Sequence, residues 1–466
     1  MTAHLFLLIV YSVALVGLGL WIGRRVTSAD QFFVAGRSLG PGLLGATLLA
    51  ANIGAGSTTG AAGLGYRDGL SAWWWVGSAG LGSIPLALWV GPRIRDLAAR
   101  HDLRTVGDYL ELRYGPLVRA VVAALLWVGT LAILAAQLIA GSTVLQAVAG
   151  VPLWIGCVVS GAVMTGYFMA GGLLTSVWVN LVQLIVLVGG FALVLPWALA
   201  SAGGWTAVAA QATPTADYWS FWRGGASGWP YLAMLGPAFI VSPGLLQKIY
   251  GARDRRSVVA GVGGNAAVLL VFAFVPPLLG IIARAAHPDL GDSQLALPIL
   301  LVEDVPPLLG GLGLAALFSA EVSSADAILF MLATSLSQDL YRRFLDPTAS
   351  DRRVLQVARG AAAAGGVLGV GLALMAGTIV GTLSVFYSVL TVCLFVPLVA
   401  GLYTSRTGTP EAMAAIGAGV TGMAAVHLAT DGGGVGWVSP ALAGTVISAV
   451  ALLFVLAVRT PARRTS

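Results

Sequence analysis

Charged residues are what this sequence has least of. Asp, Glu, Lys and Arg make up only 9% of its 466 residues, while 58% are hydrophobic. A soluble domain carries about 25% charged residues, and the mean hydropathy here is +0.90. A soluble globular protein is therefore excluded, and a polytopic membrane protein is indicated. The net charge of +6 is interpreted as a feature of membrane topology, so no nucleic-acid partner is expected.

Cysteine and histidine are also scarce. The two cysteines, Cys157 and Cys393, lie inside apolar segments, and the four histidines are scattered without ligand spacing. Neither a disulfide framework nor a Cys/His metal site is indicated. No paired carboxylates or serine–histidine motif is found, so an enzyme is not expected; an intramembrane hydrolase that uses Ser323 is a minor alternative.

Long apolar runs are abundant and predict thirteen transmembrane helices, since a span needs about 20 apolar residues. These helices cover residues 4–23, 40–65, 71–92, 116–148, 152–170, 172–199, 230–248, 257–284, 306–337, 354–376, 379–403, 410–428 and 438–458. The first run lacks a basic n-region and is followed by Arg24 and Arg25, so it is interpreted as a retained helix rather than a signal peptide.

The basic residues predict an orientation through the positive-inside rule. If the N-terminus is outside, all but three of the 25 Lys and Arg residues fall in cytoplasmic segments, the exceptions being Arg67, Arg223 and Arg284. We therefore expect a multi-pass protein of the cell membrane with its N-terminus outside and its C-terminus in the cytoplasm. Residues 200–229, rich in Trp, become an external segment at the interface.

Two of the predicted helices are interrupted. The second contains Asn52-Ile53-Gly54-Ala55-Gly56-Ser57, and the seventh contains Ser242-Pro243-Gly244. Breaks at membrane depth are tolerated only against a cavity or other protein. They stand early in two five-helix stretches, about 40–199 and 230–403, which is the pattern of an inverted-repeat secondary transporter. For any single glycine pair, close helix packing is the alternative interpretation.

The predicted ninth helix carries unusual polar residues. Ala320, Ser323 and Ser324 share one face, where they are suited either to a small hard cation or to close helix packing. Glu321 and Asp326 lie about 160° and 300° around the helix from Ser323, off that face. Each acid is a possible coupling group that binds a proton or a cationic solute; the alternative is a hydrogen bond to a neighbouring helix.

Short motifs along nearly the whole chain resemble the sodium:solute symporter family of sodium–galactose, sodium–proline and sodium–pantothenate carriers. They are Ala50-Ala51-Asn52-Ile53, Gly171-Gly172-Leu173, Ser176-Val177-Trp178 with Gln183, Pro243 with Gln247-Lys248, Ala320-x-x-Ser323-Ser324, and Asp339-Leu340-Tyr341. The resemblance implies an all-α, leucine-transporter-type inverted repeat of five plus five helices. Its expected parts are an extra N-terminal helix (1–25), the first repeat (38–199), an external loop (200–229), the second repeat (230–405), and two C-terminal helices with a short cytoplasmic tail (406–466).

The resemblance also implies a Na⁺ site between the second and ninth helices. Its ligands are the backbone carbonyls of Ala50, Ile53 and Ala320 and the hydroxyls of Ser323 and Ser324. Neutral oxygens suit a hard monovalent cation, and a broken helix frees carbonyls. Many relatives carry an acid at the position of Asn180, where it helps form a second sodium site. Because an amide has no charge, one Na⁺ per cycle is expected.

The solute is expected beside the two breaks, near the membrane midplane. Candidate contacts by position are Asn52, Gly54, Ser57, Trp75, Gln137, Phe239, Ser242, Phe386 and Tyr387. The freed amides of residues 54–57 are suited to a carboxylate, and no Arg or Lys is expected within a span. The relatives' sugar-binding polar residues are mostly not reproduced, which favours a monocarboxylate or an amino acid over a sugar.

Together these features predict a sodium-coupled secondary active symporter that imports a small organic solute by alternating access. Its partners are that solute and the lipid bilayer, and no obligate protein partner is evident. A proton-coupled or uncoupled carrier is the strongest alternative. A transporter-fold membrane sensor is another, disfavoured because only residues 459–466 follow the last predicted helix.

Overall fold

The computed structural model describes residues 3–23, 37–168, 172–212, 215–225 and 228–459; it does not describe the side chains of 172–178. Within these ranges the regular structure is entirely helical. Several sequence features fall outside the described part: the basic residues between 24 and 36, those between 460 and 464, Gly171, and the side chains of the Ser176-Val177-Trp178 motif.

The first half of the chain forms ten helices. They are α1 (Ala3–Gly23), α2 (Pro41–Asn52), α3 (Ala61–Asp68), α4 (Trp73–Pro85), α5 (Gly91–Arg100), α6 (Val106–Tyr114), α7 (Pro116–Ala149), α8 (Leu153–Phe168), α9 (Gly172–Ser201) and α10 (Gly204–Ala212). A π-helical turn over Gly56–Gly60 leads into α3, and another over Leu86–Val90 joins α4 to α5.

The second half forms eleven more. They are α11 (Trp229–Val241), α12 (Pro243–Tyr250), α13 (Arg255–Phe272), α14 (Val275–Ala286), α15 (Ala296–Ile299), α16 (Pro307–Thr334), α17 (Asp351–Met375), α18 (Ile379–Leu390), α19 (Val396–Tyr403), α20 (Thr409–Ala429) and α21 (Pro440–Arg459). A π-helical segment over Ser335–Leu345 continues α16, and one over Thr391–Phe395 joins α18 to α19.

Within the described ranges, nine helices are long and apolar enough to cross a membrane by length and composition. Most predicted spans agree with observed helices to within a few residues, and the count of thirteen spans stays a prediction. Three regions differ from expectation. The third helix continues beyond residue 92 to Arg100, the ninth continues beyond residue 337 to Leu345, and the external loop contains α10.

The two halves of the chain interleave through reciprocal contacts. The broken helix of the first half packs along the second helix of the other half: α2 lies on α13 and α3 lies on α14. In return, α11 lies along α4. Helix α7, the third predicted span counted from the broken helix of the first half, packs on α18. Helix α16, which has the corresponding place in the second half, packs on α9. Both broken helices therefore lie in the middle of the bundle, where other protein surrounds them.

A network of charged side chains joins distant helices, and its two central members, Arg119 and Asp339, are buried. The guanidinium of Arg119 on α7 contacts Asp108 and Glu111 on α6, each at 2.9 Å, and Asp339 at 2.7 Å. Arg343 also contacts Glu111. The Arg343 guanidinium, together with that of Arg119, holds the pKa of the Glu111 carboxyl below its usual range. The network therefore connects α6 and α7 of the first half to the π-helical continuation of α16.

Replacing Arg119 by Gln is expected to destabilise the protein by about 3–5 kcal/mol, because Asp339 stays buried without its cation. The measurement is thermal unfolding of the purified protein in detergent. Arg352→Gln is the matched control, since Arg352 is exposed on α17 and its loss should leave the midpoint nearly unchanged. Equal midpoints for the two variants would show that the network is not a structural tie.

Candidate functional site

The first break follows directly from the chain around Ile53. Helix α2 ends at Asn52, and Ile53 is extended, with φ −96° and ψ 97°. Gly54 comes next, where α16 approaches so closely that a Cβ would overlap the side chain of Ser324. Helix resumes with the π turn at Gly56. The regular backbone hydrogen bonding of the helix is therefore interrupted over about three residues, at a buried position in the bundle.

The second break is set by a proline. Pro243 has no N–H and disfavours helical geometry in the residue before it; Ser242 accordingly has φ −53° and ψ 119°, between α11 and α12. The carbonyl of Ser242 accepts from the N–H groups of Leu245 and Leu246 and so starts α12. Both breaks that the sequence predicts are present at the predicted residues.

Oxygens from α2 and α16 converge at the first break. Ser323 Oγ donates to the Ala50 carbonyl at 2.7 Å and to the Ala320 carbonyl at 3.1 Å. Ser324 Oγ lies 3.1 Å from the Ala51 carbonyl and 3.5 Å from that of Ala50. When a cation lies among these atoms, each hydroxyl can turn a lone pair toward it. The backbone of Ile53, the fifth expected ligand, lies at the break itself.

The two acids of α16 point to different neighbours. Glu321 is fully buried and receives a hydrogen bond from Thr59 Oγ1, at 3.4 Å, on the π turn after the break. Asp326 is 2% exposed and interacts electrostatically with Lys248 of α12. Neither acid lies among the oxygens around Ala50, as the helical angles predict. The neighbouring polar group of Glu321 is the hydroxyl of Thr59.

One cavity lies beside both breaks. All nine candidate solute contacts line it: Asn52, Gly54, Ser57, Trp75, Gln137, Phe239, Ser242, Phe386 and Tyr387. Ser324 lines it as well, so the cavity adjoins the oxygens around Ala50. The ring centroid of Tyr387 lies 6.2 Å from that of Trp75, 5.6 Å from that of Phe239 and 5.2 Å from that of Phe386. Aromatic faces therefore form much of one wall.

Three of the four N–H groups of residues 54–57 already donate hydrogen bonds within the protein, two of them to side chains. The N–H of Gly54 donates to Ser57 Oγ at 2.8 Å, and the N–H of Ala55 donates to Gln137 Oε1 at 2.9 Å. The N–H of Ser57 donates back to the Gly54 carbonyl. A carboxylate can bind these amides only by displacing the Ser57 or Gln137 side chain, so they are a poorer anion site than the sequence suggests.

The expectation that no Arg or Lys lies within a span is wrong. Lys248 is 2% exposed on α12, within the candidate span Trp229–Tyr250. Its Nζ donates to Thr47 Oγ1, at 2.8 Å, on α2. Sequence reasoning grouped Lys248 with the cytoplasmic basic residues because it stands at the end of a predicted span. Arg119, near the start of α7, is another basic residue within a candidate span, and further arginines stand toward the ends of other candidate spans.

Comparisons with known proteins agree on one family. The model of the sodium:solute symporter family matches residues 32–419. The sodium/pantothenate symporter of Escherichia coli (strain K12) is 28% identical over 357 residues, 72% of this chain and 71% of the relative. The sodium/glucose cotransporter of Vibrio parahaemolyticus is 25% identical over 394 residues, 76% of this chain and 71% of the relative. These relatives are symporters rather than enzymes.

A solved structure shows the same fold. The substrate-bound, outward-open structure of a Na⁺-coupled sialic acid symporter has a TM-score of 0.82 at 17% identity and covers 98% of each chain. At that identity the likeness concerns the fold, which is all-helical and leucine-transporter-type.

Gly54→Ala is expected to destabilise the protein by about 1–3 kcal/mol, because the added methyl overpacks the contact with Ser324. Gly264→Ala is the control, since a Cβ at Gly264 meets nothing within 4 Å. Thermal unfolding in detergent measures both variants. Should Gly54→Ala unfold at the same temperature as Gly264→Ala, the close approach of α16 to the break is refuted.

Proposed function

Because this chain belongs to the sodium:solute symporter family, we propose that it imports a small organic solute together with one Na⁺ per cycle, by alternating access. Na⁺ is the coupling ion. The observation that carries the proposal is the position of Ser324. Its hydroxyl lies at the carbonyls freed by the first break and also lines the cavity beside both breaks. A cation and a solute can therefore act on the same contact between α2 and α16.

We propose that the core is an inverted repeat of five plus five helices among thirteen spans. The reciprocal packing supports this arrangement, since each broken helix lies along the second helix of the other half. The proposed parts are the extra helix (1–25), the first repeat (38–199), the external loop (200–229), the second repeat (230–405) and the C-terminal pair with its tail (406–466). Helices α20 and α21 pack chiefly on each other, which fits a peripheral pair.

The proposed Na⁺ ligands are the carbonyls of Ala50, Ile53 and Ala320 and the hydroxyls of Ser323 and Ser324. Four of these residues already contact one another through hydroxyl–carbonyl hydrogen bonds, so little rearrangement is needed to bind an ion. The set is neutral, which suits a monovalent cation that must also leave. One Na⁺ is proposed because Asn180, buried in α9, brings no charge to the neighbouring face of α16.

The proposed solute is a monocarboxylate or an amino acid. Among the described residues that line the cavity, none is acidic or basic, so the cavity favours a solute with a compact apolar body and few polar groups. A solute carboxylate is balanced by Na⁺ at the adjoining site rather than by the freed amides, because Ser57 and Gln137 occupy those amides. The aromatic wall around Tyr387 packs against the rest of the solute.

Binding of Na⁺ from outside stabilises the state in which α2 and α16 present their oxygens together. A ligand shifts such an equilibrium only through its different affinity for the two states. At a membrane potential of about 100 mV, each inward charge contributes about 2.3 kcal/mol to uptake. One Na⁺ per cycle therefore suffices to concentrate a zwitterionic amino acid. Symport of one Na⁺ with one monocarboxylate anion moves no net charge and depends on the Na⁺ concentration gradient alone.

The combined variant Ser323→Ala and Ser324→Ala is expected to raise the half-saturating Na⁺ concentration at least about tenfold, the cost of roughly 1.4 kcal/mol of ion binding. The assay is solute uptake into proteoliposomes against a Na⁺ gradient, screened with amino acids, short monocarboxylates and sugars. Ser319→Ala is the matched control, because Ser319 is buried on the same helix but bonds Ala315 and Tyr11.

Three results of this assay would count against the proposal. If the serine variant shows the same Na⁺ dependence as wild type, the proposed ion site is wrong. If a proton gradient drives wild-type uptake equally well, Na⁺ is not the required coupling ion. If two Na⁺ are transported per solute, the proposed stoichiometry of one is wrong.

The proposed orientation, with the N-terminus outside and the C-terminus in the cytoplasm, is tested by labelling introduced cysteines. Asp217 and Thr348 are exposed, and both native cysteines are buried. In intact cells a membrane-impermeant maleimide should label Asp217→Cys, whereas Thr348→Cys should react only after permeabilisation. The reverse pattern would invert the topology.

A further inference from the structure

Lys248 is the one buried ammonium among the described residues near the first break. It is neither a proposed Na⁺ ligand nor a proposed solute contact. Its side chain is 2% exposed, and its Nζ donates to Thr47 Oγ1 at 2.8 Å. Thr47 is itself fully buried and precedes Ala50 by three residues on α2. One turn of helix therefore separates the partner of Lys248 from the first proposed Na⁺ ligand.

Asp326 lies on α16, the other helix of the proposed Na⁺ site, and α12, which carries Lys248, packs against that helix. Asp326 is 2% exposed and stands two residues after Ser324 on α16. Asp326 and Lys248 interact electrostatically. Helix α12 packs against both α2 and α16. Through its hydrogen bond to Thr47 on α2 and its electrostatic interaction with Asp326 on α16, Lys248 is thus linked to both helices that carry the proposed Na⁺ ligands. Buried charges at membrane depth persist when they compensate one another.

We propose that Lys248 is a tethered cation that sets the Na⁺ affinity of the neighbouring site. Its charge neutralises Asp326, so that the carboxylate does not draw Na⁺ more tightly to the carbonyls of Ala50 and Ala320. Its charge also repels Na⁺ directly. The inference rests on the proposed Na⁺ site and predicts a moderate affinity for it. An ion held mainly by neutral oxygens beside a fixed cation leaves readily on the cytoplasmic side.

A purely mechanical role for Lys248 is the competing explanation. Its hydrogen bond to Thr47 joins α12 to α2 and so connects the two halves of the chain. The two roles separate experimentally, because the hydrogen bond involves Thr47 alone, whereas the charge interaction involves Asp326. Glu321, the other acid of α16, contacts Thr59 instead and is not part of this pair.

The test measures the half-saturating Na⁺ concentration for uptake in proteoliposomes. Lys248→Gln removes the charge but keeps a hydrogen-bond donor, and it is expected to lower the half-saturating Na⁺ concentration at least about fivefold, because a like charge in a partly desolvated site is lost. Thr47→Val removes the hydrogen bond and leaves both charges, so it should stay within about twofold of wild type. Lys248→Gln combined with Asp326→Asn should return close to wild type, since the pair is again neutral.

The outcomes distinguish this inference from the proposed function. If wild-type uptake needs no Na⁺, the proposed function fails. If uptake needs Na⁺ but Lys248→Gln leaves its half-saturation unchanged, or Thr47→Val lowers it equally, the tethered-cation role fails and a mechanical one replaces it. For any variant that does not transport, Na⁺ titration of the thermal midpoint of the purified protein gives the same comparison. There, Lys248→Gln should be stabilised at lower Na⁺ concentrations than wild type.

Discussion

An open stretch of backbone at membrane depth is the constraint on which the rest of this structure depends. Between Asn52 and Gly56 the helical ladder is interrupted, and each unsatisfied amide or carbonyl there costs several kilocalories per mole. Water is scarce at that depth, so other parts of the chain satisfy these groups. Ser323 and Ser324 reach the carbonyls from α16, and Gln137 reaches the Ala55 amide from α7. Two long helices are thereby fixed against the break.

The same constraint decides what the cavity can recognise. Since Ser57 and Gln137 occupy the freed amides, the polar atoms of the break are divided: its carbonyls face hydroxyls on α16, and its amides face acceptors within the protein. The carbonyl side is the one suited to a cation. The cavity is left with amide and hydroxyl side chains and an aromatic wall, without a described charge. We therefore expect the selectivity of the proposed solute site to depend on shape and on a few hydrogen bonds.

The sequence predicts those features that a local pattern dictates. Gly54 and Pro243 disrupt helices locally, so both breaks could be located, and the residues flanking them were also predicted to lie near one cavity. Pairings between distant helices could not be predicted this way. Periodicity assigns a residue to a face of its own helix and leaves the opposing helix unknown. Three contacts depend on such pairings between distant helices: the hydrogen bond from the Ala55 amide to Gln137, the contact of Thr59 with Glu321, and the burial of Lys248 against α2.

Lys248 shows most clearly why that information is missing from a single sequence. At the end of an apolar run, a lysine fits the positive-inside rule equally well whether it reaches the cytoplasm or turns inward. Its partners, Thr47 and Asp326, stand 201 and 78 positions away, and nothing in the local pattern connects them. Charge balance supplies the missing argument. A carboxylate that stays ionised on a buried helix is stabilised by a cation nearby, and Lys248, on a long flexible side chain at the end of the second broken helix, is the ammonium that interacts with Asp326. Asp326 of α16 and Lys248 of α12 therefore have to be interpreted together, and the proposed Na⁺ site between α2 and α16 lies beside that pair.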